Sequence, residues 1–124
     1  MREPWLGEPL SLSRKLQLKE GQRLALVNPP KGLKVDAPAG KDLTMDAVLV
    51  FVRNSSELRA HAKPALDAAQ ADRLAWIAYP KAGQLETDLN RDIVWKLLAR
   101  EGVKPVRQIA VDDVWSALRL RPAA

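Results

Sequence analysis

Three short, uninterrupted apolar runs punctuate this chain: Leu24-Ala25-Leu26-Val27 behind Arg23, Ala47 to Val52, and Leu74 to Tyr79. Half-exposed strands alternate apolar and polar positions, whereas continuous runs of this length suit strands buried on both faces, as in parallel sheets. The run from Ala47 to Val52 is the richest in β-formers and is expected at the centre of the sheet. Asn28-Pro29-Pro30 stops the first run, because proline has no N–H for a ladder and restrains the residue before it. From there to Met45 the pattern is loop-like, with Leu33-Lys34-Val35 a candidate edge strand and Lys41 to Met45 a candidate helical turn.

Helical spacing occupies the intervals. Asn54 and Glu57 have the spacing of a capping box, and Leu58, Ala62, Ala65, Leu66 and Ala69 then recur on one face. Pro64 either kinks this helix or opens a second one in its first turn. Thr87 or Asp88 is expected to cap a later helix with the stripe Leu89, Ile93, Val94, Leu97 and Leu98, and Gly102 to end it. Val106 to Val111 and Val114 to Arg121 read as strands joined at Asp112-Asp113, the second setting Leu118 and Leu120 against Arg119 and Arg121. At the other end, Met1 to Ser13 carries Pro4, Gly7 and Pro9 around Trp5, Leu6 and Leu10, and reads as an arm; Ser11 or Ser13 caps a short helix to Leu16. The expected fold is α/β: an arm over residues 1–13, then one three-layer Rossmann-like domain over residues 14–124. Its sheet is mostly parallel and ends in a C-terminal antiparallel β-hairpin.

This order of elements resembles a truncated methyltransferase-like Rossmann architecture. More closely, the chain is similar to a family of small bacterial proteins catalogued only as a domain of unknown function. The similarity is carried by Lys15-Leu16 through Gly21, Arg23 to Asn28, Val50 to Arg53, Trp76 to Lys81, Thr87 to Arg91 and Val111 to Arg119. The resemblance implies a fold and no chemistry. In methyltransferases the first strand opens into a glycine-rich turn that lets the backbone approach S-adenosylmethionine. Here Asn28-Pro29-Pro30-Lys31-Gly32 stands in that place, and Asp36 follows too closely to be the acid that holds a cofactor ribose. The S-adenosylmethionine site is therefore expected to be absent or degenerate, no cofactor is assigned, and no catalytic residue is carried over.

Composition removes further classes. With 47% hydrophobic residues among 124, one core needs no disulfide, and the absence of cysteine excludes thiolate nucleophiles and thiolate metal sites. His61 is the only histidine and cannot anchor an ordinary transition-metal site. Ser11, Ser13, Ser55, Ser56 and Ser116 lie in no nucleophile-elbow context, and Asp112-Asp113 fits turn chemistry better than acid–base catalysis. A net charge of +5 raises the question of nucleic acid, but the cations are dispersed from Arg2 to Arg121 without a basic run. Only weak electrostatic binding is expected, through Arg107, Arg119 and Arg121. No apolar stretch suits a signal peptide or a bilayer span, so the expectation is a soluble, cytoplasmic protein with no membrane partner.

Open α/β sheets bind ligands outside the carboxyl ends of their strands. Asn28, Arg53 with Asn54, and Lys81 follow the three predicted parallel strands, and Thr87, Asp88 and Arg91 lie at the start of the next helix. These seven residues form a candidate ligand rim where Arg53 and Lys81 could receive an anion, although caps and turns select the same residue types. Tryptophan is the unusual component, with four against one tyrosine and one phenylalanine. Trp76 reads as core and Trp115 as half covered, while Trp95 falls opposite the apolar stripe and needs a cover, from Trp5 and Leu6 of the arm or from another chain. Trp5, Trp95 and Trp115 are thus the candidate interface. The expected function is a non-catalytic binding or interaction module, its partner another protein or a second copy. The alternatives are a reduced methyltransferase-like or nucleotide-binding enzyme at the rim, and a weak electrostatic nucleic-acid binder.

Overall fold

The computed structural model describes residues 11–33, 35–42 and 44–123. Six strands, β1 (Leu24–Val27), β2 (Ala39–Gly40), β3 (Ala47–Phe51), β4 (Leu74–Pro80), β5 (Val103–Ala110) and β6 (Trp115–Pro122), make one sheet in the order β2-β1-β3-β4-β6-β5. The first four are mutually parallel, and β6 lies antiparallel between β4 and β5. The three continuous apolar runs form β1, β3 and β4, with every residue of β3 fully buried at the sheet's centre. The C-terminal hairpin turns on Asp112, whose Oδ1 accepts from the amides of Val114 and Trp115, 2.8 Å each. At the outer edge, the pairing of β5 with β6 is irregular between Pro105 and Arg107.

Four helices accompany the strands: α1 (Leu12–Lys15), α2 (Ser55–His61), α3 (Lys63–Gln70) and α4 (Arg91–Ala99). Pro64 opens α3 in its first turn, where its missing N–H leaves no bond unmade, and Ala62 joins the two helices. The cap of α4 is Asn90, not Thr87 or Asp88: its side chain accepts from the Ile93 amide at 2.9 Å. This later start places Leu89 just outside the helix, where it is buried in the same cluster as Val94, the arrangement of a hydrophobic staple. It also leaves Ile93, expected in the buried stripe, 38% exposed.

The layering is lopsided. α2, α3 and α4 all pack on one face, against Val48, Val50, Ile77, Leu118 and Leu120. The opposite face, with Leu24, Leu49, Phe51, Trp76 and Ala117, is covered by the one-turn helix α1 and by loops that bring in Leu33, Val35, Val111 and Val114. The three-layer expectation is corrected to this extent, because Pro29, Pro30 and Pro38 interrupt the connection that would have supplied a helix there. Leu33 and Val35, expected in an edge strand, pack their side chains beneath the sheet, and Ala39–Gly40 pairs with β1. Where a helical turn was expected, the Met45 amide donates to the Asp42 carbonyl at 3.1 Å and Thr44 donates its amide and hydroxyl to Asp42 Oδ1.

Two aspartates fasten loops onto helix starts. Asp36 accepts from the Ser13 amide (2.9 Å) and hydroxyl (2.7 Å), and Asp88 accepts from the amide and hydroxyl of Ser55. Ser11 caps α1, so the described fold begins within the stretch read as the arm. The Ser13 hydroxyl, followed by its amide, holds the Asp36 carboxyl at about 2, below its ordinary 3.8. The folded-state pKa is depressed, so this contact stabilises fully above the ordinary value and is lost as pH falls towards 2. Asp36→Asn is expected to cost under about 1 kcal/mol near neutral pH, because the carboxylate is exposed and solvent-screened. It should also flatten the dependence of stability on pH between about 4 and 2. Urea unfolding across that range measures both, and an unchanged slope would rule the contact out as a contributor.

Candidate functional site

Because β1, β3 and β4 are parallel, Asn28, Arg53 and Lys81 emerge on one rim. The rim then divides in two. At the β1–β3 end the polar groups bond to one another. Asn28, in the left-handed region at φ 56, donates Nδ2 to the Phe51 carbonyl and to Glu57 Oε1, 3.0 Å each. Glu57 also accepts from the Arg53 amide at 3.1 Å and from its guanidinium, whose Nη2 lies 3.0 Å from Oε2. Burial raises the Glu57 pKa, but the Arg53 amide and guanidinium and the Asn28 amide together outweigh it and hold the carboxyl below its ordinary range. Asn54 caps α2 through the Glu57 amide at 2.9 Å. The expected capping box is thus half formed, since Glu57 reaches the amide of Arg53, one residue before the cap. Asp88 is taken by Ser55, whose hydroxyl and amide lower its pKa, and Thr87 Oγ1 accepts from the Leu89 amide at 3.0 Å.

Lys81 and Arg91 stand apart from this network, at the end of β4 and the start of α4. Arg91 meets Asp92 only loosely, at 3.8 Å. Between them lies a cleft of about 860 Å³, walled by Lys81, Asn90, Arg91, Asp92 and Gln108 and floored by Tyr79 and Ser116. The register explains the floor. Tyr79 opposes Ser116 across β4 and β6, and Ser116 opposes Ala110 across β6 and β5. The apolar face of the sheet therefore ends in a phenol, a hydroxymethyl and a methyl. The first core contacts of α4 come only at Val94 and Leu98, so its first turn overhangs this floor. Tyr79 is 2% exposed and Ser116 6%, and neither hydroxyl has a hydrogen-bond partner among the described residues. Burial raises the Tyr79 pKa, while Arg91 and Asp92 act on it with opposite sign.

Tyr79, Ser116 and Gln108 were outside the candidate rim. One signal pointed to them: in the alternation of the last strand, Ser116 shares the face of Leu118 and Leu120, a polar group on an apolar stripe. A second cleft, of about 510 Å³, lies at the β1–β3 end beside Pro29, Pro30 and Lys31, with Arg53, Leu85 and Trp115 on its walls. Among the described residues no cluster of three or more histidine or acidic side chains is placed to hold a metal ion, and no helix is long and apolar enough to cross a membrane.

The tryptophans separate by environment. Trp76 is fully buried, as expected. Trp115, expected half covered and available to a partner, is 5% exposed and meets the Phe51 ring edge-on at 5.1 Å and 82°, which removes it from the candidate interface. The cause is the turn at Asp112, which folds Val111 and Val114 over that face. Trp95 keeps 46% of its surface accessible, and Trp5 lies outside the described residues. Of the hairpin arginines, Arg119 donates to Gln17 at 2.6 Å and Arg121 pairs with Asp72 at 3.2 Å. No family model and no curated protein matches the chain.

Proposed function

We propose that this chain is a non-catalytic α/β binding module, built on the methyltransferase-like architecture it resembles but without a working S-adenosylmethionine site. The terminal hairpin, with β6 antiparallel beside β4, supports the architectural part of the reading. The functional part is carried by one observation, the bridge from Asn28 to Phe51 and Glu57. In open α/β sheets the cofactor's polar groups bind where the chain leaves the first strand, using free backbone amides and a close approach of glycine. Here the side chain at that position is committed to its neighbours, Glu57 is committed to Arg53, and Pro29 and Pro30 contribute no N–H to the adjoining cleft. Partners would then meet the molecule elsewhere, and the exposed ring of Trp95 beside solvent-facing α4 residues suits a protein surface or a second copy.

Calorimetric titration with S-adenosylmethionine tests this directly. No saturable heat is expected at ligand concentrations up to about 1 mM, which corresponds to affinity weaker than about −4 kcal/mol. A micromolar dissociation constant with amide shifts at Asn28 and Arg53 would refute the reading and restore an enzyme at the rim.

A further inference from the structure

The cleft at the end of β4 is floored by two largely buried side chains whose hydroxyls have no hydrogen-bond partner among the described residues. Tyr79 and Ser116 are each more than nine-tenths buried, sit opposite one another in register, and present hydroxyls to the cleft with no hydrogen bond made. Neither oxygen is sealed from solvent, and both face the cleft uncommitted, so an occupant can bond to the two together without breaking a hydrogen bond of the protein. The wall above them is the first turn of α4, a helix of nine residues. Asn90 satisfies the Ile93 amide, which leaves the amides of Arg91 and Asp92 without intrahelical partners at the positive end of the helix dipole. Lys81 and Arg91 add two positive charges and Asp92 removes one, so the wall is net positive. The volume of about 860 Å³ far exceeds that of a bare oxyanion, and the Tyr79 ring and the Ala110 methyl supply apolar surface for the remainder of a molecule.

We propose that this cleft binds a small organic anion: a phosphate or carboxylate head accepts from the Tyr79 and Ser116 hydroxyls and from Arg91, and an apolar body rests along the Tyr79 ring and Ala110. Lys81 contributes long-range attraction, and Asp92 disfavours the most highly charged heads. The inference names the ligand class for a binding module, and rests on the reading above only in that respect. Its site is at the β4–β6 end of the rim, away from Asn28 and Arg53.

Tyr79 is the only tyrosine in the chain, so ring-labelled tyrosine gives one NMR signal that reports on this cleft alone. The full chain, labelled in this way and with ¹⁵N, is titrated with phenyl phosphate, with benzoate and with benzyltrimethylammonium as a cationic control of similar size. The expected result is a saturable shift of the tyrosine signal and of the Arg91 and Asp92 amides with at least one anion, at a dissociation constant of about 1 mM or below, and none with the cation. The tighter of the two anions identifies the head group. Ser116→Ala, read on the tyrosine signal, and Tyr79→Phe, read on the α4 amides, should each weaken binding by about tenfold or more, the effect of losing one hydrogen bond to a charged group. Arg91→Gln, at an exposed position that leaves the core untouched, should weaken it at least as much. No saturable shift with either anion would overturn the proposal, as would equal binding of the cation or full affinity in all three variants. S-adenosylmethionine shifts at Asn28 and Arg53 would count against the functional reading while leaving the Tyr79 result to stand or fall alone.

Discussion

Trp76→Ala is expected to destabilise the fold by about 4 kcal/mol, the upper part of the range for removing a large aromatic from a core. Trp76 is the largest fully buried side chain, lies beside Leu49 on the loop-covered face, and donates Nε1 to the carbonyl of Leu16 at 3.1 Å. The substitution opens a cavity and also orphans that carbonyl, which closes α1. Domains of this kind have about 5–15 kcal/mol of stability in total, so the variant should be marginal at room temperature. Trp76→Phe separates the contributions: it keeps most of the volume but leaves the Leu16 carbonyl unmet, at a cost of about 1–2 kcal/mol. Urea unfolding followed by far-ultraviolet circular dichroism measures both. A loss below about 1.5 kcal/mol for the alanine variant would mean that α1 and the loops beneath the sheet repack around the gap, and that this face is less firmly built than its burial indicates.

The second large effect is expected at Asn28. Alanine there loses the bonds to Phe51 and Glu57 and must hold φ 56, a region asparagine tolerates better than other side chains that carry a Cβ. Two partly exposed hydrogen bonds and the backbone strain together come to about 2 kcal/mol. Asn28→Gly removes the same bonds without the strain and should therefore be less destabilising than alanine by about 1 kcal/mol. Equal losses in the two variants would show that the left-handed turn carries no strain. With Asn28 gone, Glu57 keeps only Arg53, so the Arg53 amide should exchange faster in both variants.

Much of the fold was legible because the signals are redundant. β1, β3 and β4 are continuous apolar runs cut off by prolines or aspartates, and the hairpin shows an alternation with a turn-forming Asp112 at its centre. What escaped depends on long-range geometry. Thr87, Asp88 and Asn90 are all good caps, and composition alone does not say that Asp88 is drawn away to Ser55, which lies 33 residues earlier. Ala39–Gly40 has no strand character of its own and pairs because Leu24 and Ala25 present an open edge. The carboxyl ends of β1, β3 and β4 fall on one side of the sheet, but the polar groups there divide between an internally bonded network and a separate cleft. The rim's residue types say nothing about whether Arg53 meets a ligand or Glu57, and Glu57 was visible only as a capping residue. Tyr79 and Ser116 read separately as the end of one strand and the start of another, and only their register brings the two hydroxyls together.

The irregular pairing at Pro105 has a consequence for how these molecules behave in crowded solution. β5 is the longer of the sheet's two outer strands, and such a strand offers a row of backbone groups to any second sheet that approaches. Here proline lacks an N–H at one position, the kink lifts Val106 out of step, and Lys104 and Arg107 place like charges along the exposed border. A second molecule brought alongside finds an interrupted, positively charged template and cannot zip onto it. Growth of an extended sheet through this edge is thereby disfavoured at its first step.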